Sequence, residues 1–177
     1  CCFSCGNGCY GGFPNAAWYY FINSGVVSGD GYGNNQWCQP YTIPADGNEY
    51  PTPPCQRQCL GAGQYFYNKT KGTSGYTLVG EDRFKAEISA HGPIVAAFTV
   101  YEDFRTYKSG IYVHQSGQAL GGHAIRIVGY GTENGMKYWK IANSWSPNWG
   151  ENGFFRMQRG VNMCGIEGDG LAGLVLV

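Results

Sequence analysis

The chain has 177 residues, 43% of them hydrophobic and 14% charged, with twelve Lys+Arg set against twelve Asp+Glu. That is enough apolar material for one medium domain or two small ones, and too much for a disordered tail. The balanced charge gives no field to draw nucleic acid or an anionic membrane surface, and no apolar run reaches membrane-spanning length.

Residues 1–12 read as a Cys/Gly loop holding Cys1, Cys2, Cys5 and Cys9. A start at Cys1 rather than methionine is expected of a processed product, a partial gene or a cut, with the addressing information lost. Seven of the eight cysteines, Cys164 being the exception, fall in the first 59 residues. That density points to an oxidising compartment and a disulfide-stapled first half. Zinc held by the first four cysteines is the rival; a paired CxxC…CxxC arrangement is absent, and no metal is expected. Pro14 and Asn15 open a short helix over 16–23 that Gly25 closes, with Trp18, Tyr19 and Phe21 read as core. Residues 29–64 have no sustained period and read as an ordered loop pinned by Cys38, Cys55 and Cys59. Asn68-Lys69-Thr70 is a glycosylation sequon, with Asn68 the acceptor.

Composition changes near residue 76, which gives two domains, 1–75 and 76–177. Glu81-Asp82 starts a helix with Phe84 and Ile88 on one face, and His91-Gly92-Pro93 stops it. Strand-like runs follow at 94–100, 124–130, 136–142, 154–158 and 171–177. The first half is thus helical and disulfide-rich, and the second an antiparallel sheet with a helix.

Residues 121–150 are the most informative. Asn134-Gly135 signals a turn. A loop over 131–135 sets Tyr130 opposite Met136, and outward in that register His123 falls opposite Asn143. Directly opposed side chains have Cβ atoms about 5 Å apart. The amide oxygen of Asn143 would then accept the Nδ1–H of His123 and leave Nε2 to exchange a proton with a nucleophile. A neutral orienting group of this kind suits a thiolate–imidazolium couple. Trp145 and Trp149 would keep water off the bond, and Gly121-Gly122 would let a substrate approach the backbone. The plain alternative is a cross-strand polar pair with no chemistry. Ser144, a possible hydroxyl nucleophile, should point to the face opposite Asn143.

These residues also carry a resemblance. "GGHAIRIVGYG" and "NSWSPNWGENGFFRMQRG" resemble the histidine and asparagine segments of papain-family cysteine proteases, and "CGNGCYGGFPNAAW" (5–18) resembles their Cys-Asn-Gly-Gly segment. "GVVSGDGY" (25–32), "FTVYEDFRTYKSGIY" (98–112) and "CGIEG" (164–168) resemble the cathepsin B branch. The resemblance implies an α+β fold: a papain-like two-domain fold, incomplete, with a disulfide-rich helical half and an antiparallel β-sheet or barrel half. It implies a lysosomal, endosomal or secreted thiol protease without cofactor, in which His123 is the base, Asn143 its orienting partner, and Trp145 a shield and leaving-side contact. Gly11 and Gly12 resemble the strip that binds extended substrate, with Gly122 beside the histidine. Phe13, Pro14, Ala97, Ala124 and Asp169 resemble the pocket for the second side chain before the scissile bond, where Asp169 is a short-armed acid. The implied disulfides are Cys2–Cys5, Cys1–Cys55 and Cys38–Cys59, with Cys9 paired upstream and Cys164 free. The implied partners are peptide or protein substrates, the N-terminal or light-chain segment of the same precursor, and a propeptide or protein inhibitor.

Two departures follow from the same resemblance. The segment with the oxyanion-hole glutamine and the nucleophilic cysteine should precede Cys1 and is absent, so the isolated chain is expected to be inactive. Cys9, in a loop suited to cross-links, is a poor substitute. The stretch "PYTIPADGNEYPTPPC" (40–55), matching a loop with paired histidines in cathepsin B, has none. Asp46 and Glu49 would instead repel a substrate's terminal carboxylate, which favours endopeptidase action. A non-catalytic secreted binding relative is the alternative.

Overall fold

The computed structural model describes residues 4–44, 46, 48, 50–60 and 69–175, and of Cys9 the backbone alone. Cys1, Cys2, Glu49 and Asn68 lie outside the described residues, so the expected bonds of Cys1 and Cys2 and the glycan acceptor are not described. The chain divides into two compact units, Cys1–Gly75 with Gly173–Val177, and Tyr76–Ala172.

In the first unit a short 3-10 turn, Gly8–Tyr10, leads into helix α1, Pro14–Asn23. Proline at the first helical position gives up only an N–H that the helix leaves unpaired. The helix ends as the N–H groups of Ser24 and Gly25 donate to Tyr20 O at 2.8 Å and Phe21 O at 3.1 Å, with Gly25 at φ 73. Trp18, Phe21 and Ile22 lie over Gly72, Gly75 and Gly173; a Cβ on Gly173 would sit 2.2 Å from Ser74 O and 2.6 Å from the Trp18 ring. Tyr19, read as core, is instead 70% exposed, because it points away from that glycine bed. Strands β1 (Gly29–Asp30) and β2 (Gln39–Pro40) form a short parallel pair. Beside them the Cys38–Cys59 disulfide closes a separation of 21 residues. Cys38 is fully buried, and its carbonyl accepts the Leu60 N–H at 2.8 Å. Cys5 and Cys55 are also disulfide-bonded. Cross-links thus order a stretch that has little regular structure of its own.

The second unit runs β3 (Tyr76–Leu78), α2 (Glu81–His91), β4 (Ile94–Tyr101), α3 (Glu102–Arg105), β5 (Ile111–Tyr112), β6 (Ala119–Glu133), β7 (Met136–Ala142), β8 (Phe154–Gln158) and β9 (Gly170–Ala172). They make one sheet in the order β3-β9-β4-β6-β7-β8-β5, antiparallel throughout except for the parallel edge pair β5/β8. Of the strand expected over 171–177, Leu171 and Ala172 belong to β9, Gly173 and Leu174 do not, and residues 176–177 lie outside the described residues. Along β4 the alternate residues Ile94, Ala96, Phe98 and Val100 are buried, the period-2 signature of a half-buried strand. They pack with Trp139, Ile127, Ile141, Phe155 and Met157, and with Phe84 and Ile88 from one face of α2.

The β6/β7 hairpin departs from the expected register. Asn134 (φ 51) and Gly135 (φ 81) alone form the turn, so Glu133 faces Met136, and an irregularity between Ile127 and Gly129 brings Arg126 opposite Ala142. A two-residue turn with both φ positive matches the right-handed twist of the strands, which a five-residue loop does not require. The direct opposition of His123 and Asn143 is therefore overturned. The β6/β7 ladder ends at the Arg126–Ala142 pair; extended by one step, that register sets Asn143 against Ile125, with His123 diagonal to it.

Candidate active site

Diagonal neighbours across a sheet stand about 7–8 Å apart at Cα, within reach of long side chains. His123 and Asn143 use that reach: His123 Nε2 lies 2.8 Å from Asn143 Oδ1. The ring nitrogen engaged is Nε2 and not the expected Nδ1. An amide oxygen only accepts, so Nε2 carries the proton, and the neutral ring presents a lone pair at Nδ1. Among the described residues Nδ1 has no hydrogen-bond partner.

Asn143 is held from three directions. Its N–H donates to Gly153 O at 2.9 Å, and its Oδ1 accepts a second bond, from Ser144 N–H, at 2.8 Å. Its Nδ2 is buried without a partner among the described residues. The His123 ring lies between Trp145, centroid 5.1 Å away, and the edge-on Phe98, 5.9 Å away and opposite it on β4. Trp145 rests on Trp149 at 5.0 Å and on the buried Phe104 at 5.5 Å. This aromatic stack fixes the imidazole plane and covers the bond. Sequence reasoning found Trp145 and Trp149. It missed Phe98 and Phe104, whose alternation within "FTVYEDF" was the available signal.

The other predicted residues divide between the units. In the first, Gly11 is exposed with φ 103, Gly12 bridges to Gly6, Phe13 precedes α1 at 67% exposure, and Pro14 is its first residue. In the second, Ala97 on β4 pairs with Ala124 on β6, and its N–H donates to the backbone oxygen of Asp169 at 3.2 Å, which brings these three together. Ala124 and Asn143 line a shallow cavity of about 340 Å³ with Val95, Arg126 and Ser144. Gly122 lines a second one, of about 270 Å³, with His123 and Trp145. Among the described residues no group of acidic, histidine or cysteine side chains could hold a metal ion.

The remaining histidines each meet a carboxylate. His91, the last residue of α2, contacts Glu87 at 3.0 Å. His114 stacks on Tyr101 and lies 3.1 Å from Asp103. Asp103 also accepts from Tyr112 Oη at 2.7 Å and from the N–H groups of Gln115 and Ser116. Burial opposes its ionisation, but these donors outweigh it and hold the carboxyl well below the usual range. The half-buried thiol of Cys164, free as expected, is pushed up to about 11 by burial and then by the Asp103 charge.

Residues 1–174 match the sequence pattern of the papain family of cysteine proteases. This chain belongs to that family. Within it, the chain is 48% identical to cathepsin B-like cysteine proteinase 4 of Caenorhabditis elegans, over 94% of the chain and 55% of that protein. It is 45% identical to a cathepsin B-like cysteine proteinase of Schistosoma japonicum, over 99% of the chain and 56% of that protein. It superposes on proCathepsin B S9 from Trypanosoma congolense with a TM-score of 0.90 at 43% identity, covering 100% of this chain and 58% of that one. Bromelain from Ananas comosus, solved with the E64 inhibitor, gives 0.70 at 28% identity, covering 98% and 74%. The papain-family chain is thus cathepsin B-like and α+β, and it spans about half the length of the curated relatives it matches.

Proposed function

We propose that the protein containing these residues is a cathepsin B-like cysteine endopeptidase, with His123 as the proton-transferring group and Asn143 as its positioning residue. The thiolate comes from a segment outside 1–177. The observation that carries this reading is the His123 Nε2–Asn143 Oδ1 bond with Nδ1 left unpartnered. A thiolate beside Nδ1 forms an ion pair with the imidazolium and attacks the scissile carbonyl. The imidazolium then gives its Nδ1 proton to the departing amine, leaving a thioester. Water, deprotonated by the neutral ring, hydrolyses that thioester. Throughout, Asn143 keeps the ring plane fixed without adding charge.

Gly11 and Gly12 bind the extended acyl side of the substrate by backbone hydrogen bonds. Ala97, Ala124 and Asp169 bind the second side chain before the scissile bond. Endopeptidase action is favoured by the lack of histidine in 40–55 and by Asp46. The Asn48 N–H and the Tyr50 hydroxyl hold the Asp46 carboxyl below its ordinary range, so it stays ionised and repels a terminal carboxylate. Protein substrates and a propeptide or protein inhibitor are the partners, in a lysosomal, endosomal or secreted setting consistent with the disulfides. Residues 1–177 alone are inactive.

The complete, activated protein should cleave a peptide blocked at both ends and lose that activity on stoichiometric alkylation by iodoacetamide. No cleavage of any blocked peptide would refute the peptidase reading and favour a non-catalytic peptide-binding protein.

A further inference from the structure

The cavity of about 270 Å³ beside His123 has walls of Val100, Leu120, the Gly121 and Gly122 backbone and Trp145, and one charged lining residue, Arg105. Arg105 is the last residue of α3 and is exposed. Among the described residues no carboxylate lies within 4.0 Å of its guanidinium. Its acidic neighbours on α3 are engaged elsewhere: Asp103 with Tyr112, His114 and two backbone N–H groups, Glu102 with the Gln118 N–H at 3.2 Å. The backbone is not free to drift, because the Arg105 carbonyl accepts Trp149 Nε1 at 3.4 Å, and Trp149 packs on Trp145. The backbone that carries the cation is thus tied to the aromatic stack beside His123.

Direction along the sheet assigns the cavity to one side of the scissile bond. On the β4/β6 ladder His123 faces Phe98. Ala97 and Ala124 lie one step to one side, and Val100 and Gly121 lie on the other. The proposed function, on which this inference rests, gives Ala97 and Ala124 to the acyl side. The cavity at Val100, Gly121 and Arg105 therefore receives the first residue of the leaving group. A cleft lined by Val100, Leu120 and Trp145 together with one unpaired guanidinium matches a short apolar stem ending in a carboxylate. We propose that Arg105 makes this peptidase select an acidic side chain on the residue that follows the scissile bond.

The same carboxylate chemistry could come from a terminal α-carboxylate, so the experiment separates the two sources. The complete, activated protein is given internally quenched peptides, amidated at the C-terminus, that differ only at that position (Glu, Gln or Lys). A parallel set ends there in a free carboxylate. We expect kcat/KM for Glu to exceed that for Gln by about two- to fivefold, the range of an exposed ion pair, with Lys below Gln. The Glu:Gln ratio should fall in about 0.5 M salt, a test that needs no variant. It should approach one in Arg105→Leu, and Arg105→Glu should favour Lys. A ratio near one in the parent, or a preference unchanged in Arg105→Leu, would overturn the proposal while leaving the peptidase reading intact. Preference confined to the free-carboxylate set would overturn the side-chain assignment. Cleavage of no peptide would overturn both readings.

Discussion

Replacing Asn143 by alanine in the complete protein removes one atom, Oδ1, that accepts two hydrogen bonds of 2.8 Å, from His123 Nε2 and from the Ser144 N–H. The first becomes charge-assisted when the ring is an imidazolium, and a hydrogen bond to a charged group contributes about 1.5–3 kcal/mol. At about 1.4 kcal/mol per tenfold, turnover should fall about 10- to 150-fold. The Trp145 ring, 5.1 Å from the imidazole, shields the bond from water and places the expected loss toward the upper end. Asn143 is not assigned a substrate contact, so the loss should appear in kcat with little change in KM. Stability should change less, because the same substitution deletes the buried, unpartnered Nδ2. The assay is steady-state hydrolysis of a blocked peptide beside a thermal melt. A kcat within about threefold of the parent in a folded variant would show that the His123–Asn143 bond does not position the base.

Two further predictions concern the Asp103 cluster. Its carboxyl is depressed in the folded state, so its stabilisation is present above the unfolded value, about pH 4, and is lost as pH falls toward the folded one. Asp103→Asn should cost about 2 kcal/mol at pH 6 by denaturant titration, with the deficit shrinking below about pH 4; a deficit independent of pH would contradict the ionic role. With the Cys164 thiol pushed up to about 11, native protein whose nucleophilic thiol is already blocked should alkylate at Cys164 about 100-fold more slowly at pH 8 than unfolded protein. Mass spectrometry of the Cys164 peptide reads this, and near-equal rates would refute the buried, anion-facing environment.

Much of the site was legible because its signals are local. "GGHAIRIVGYG" and "NSWSPNWG" place an imidazole, an amide and two indoles beside one hairpin, and Asn134-Gly135 names the turn. The register was not legible: the turn uses two residues rather than five, and the irregularity between Ile127 and Gly129 shifts the ladder again. Two offsets took the direct opposition away, and the nitrogen that meets Asn143 is Nε2. Tyr19 was misread because neighbouring helix residues face different directions, and only the packing of Gly72, Gly75 and Gly173 shows which direction is inward. Arg105 lies within the quoted segment 98–112 but became a candidate only through the cavity it lines.

By itself the sequence determined the two longer helices, the long strands and the chemical groups they carry, but not the short elements such as Tyr76–Leu78, Glu102–Arg105 and Ile111–Tyr112. Backbone preferences at Pro14, Gly25, Asn134 and Gly135, and the alternation along β4, act over a few neighbouring residues. The tertiary structure alone decided which nitrogen of His123 meets Asn143, which rings cover it, and that an unpaired guanidinium stands beside it. Those outcomes depend on strand register and on approach between residues distant in the chain, which sheet twist and side-chain packing set together.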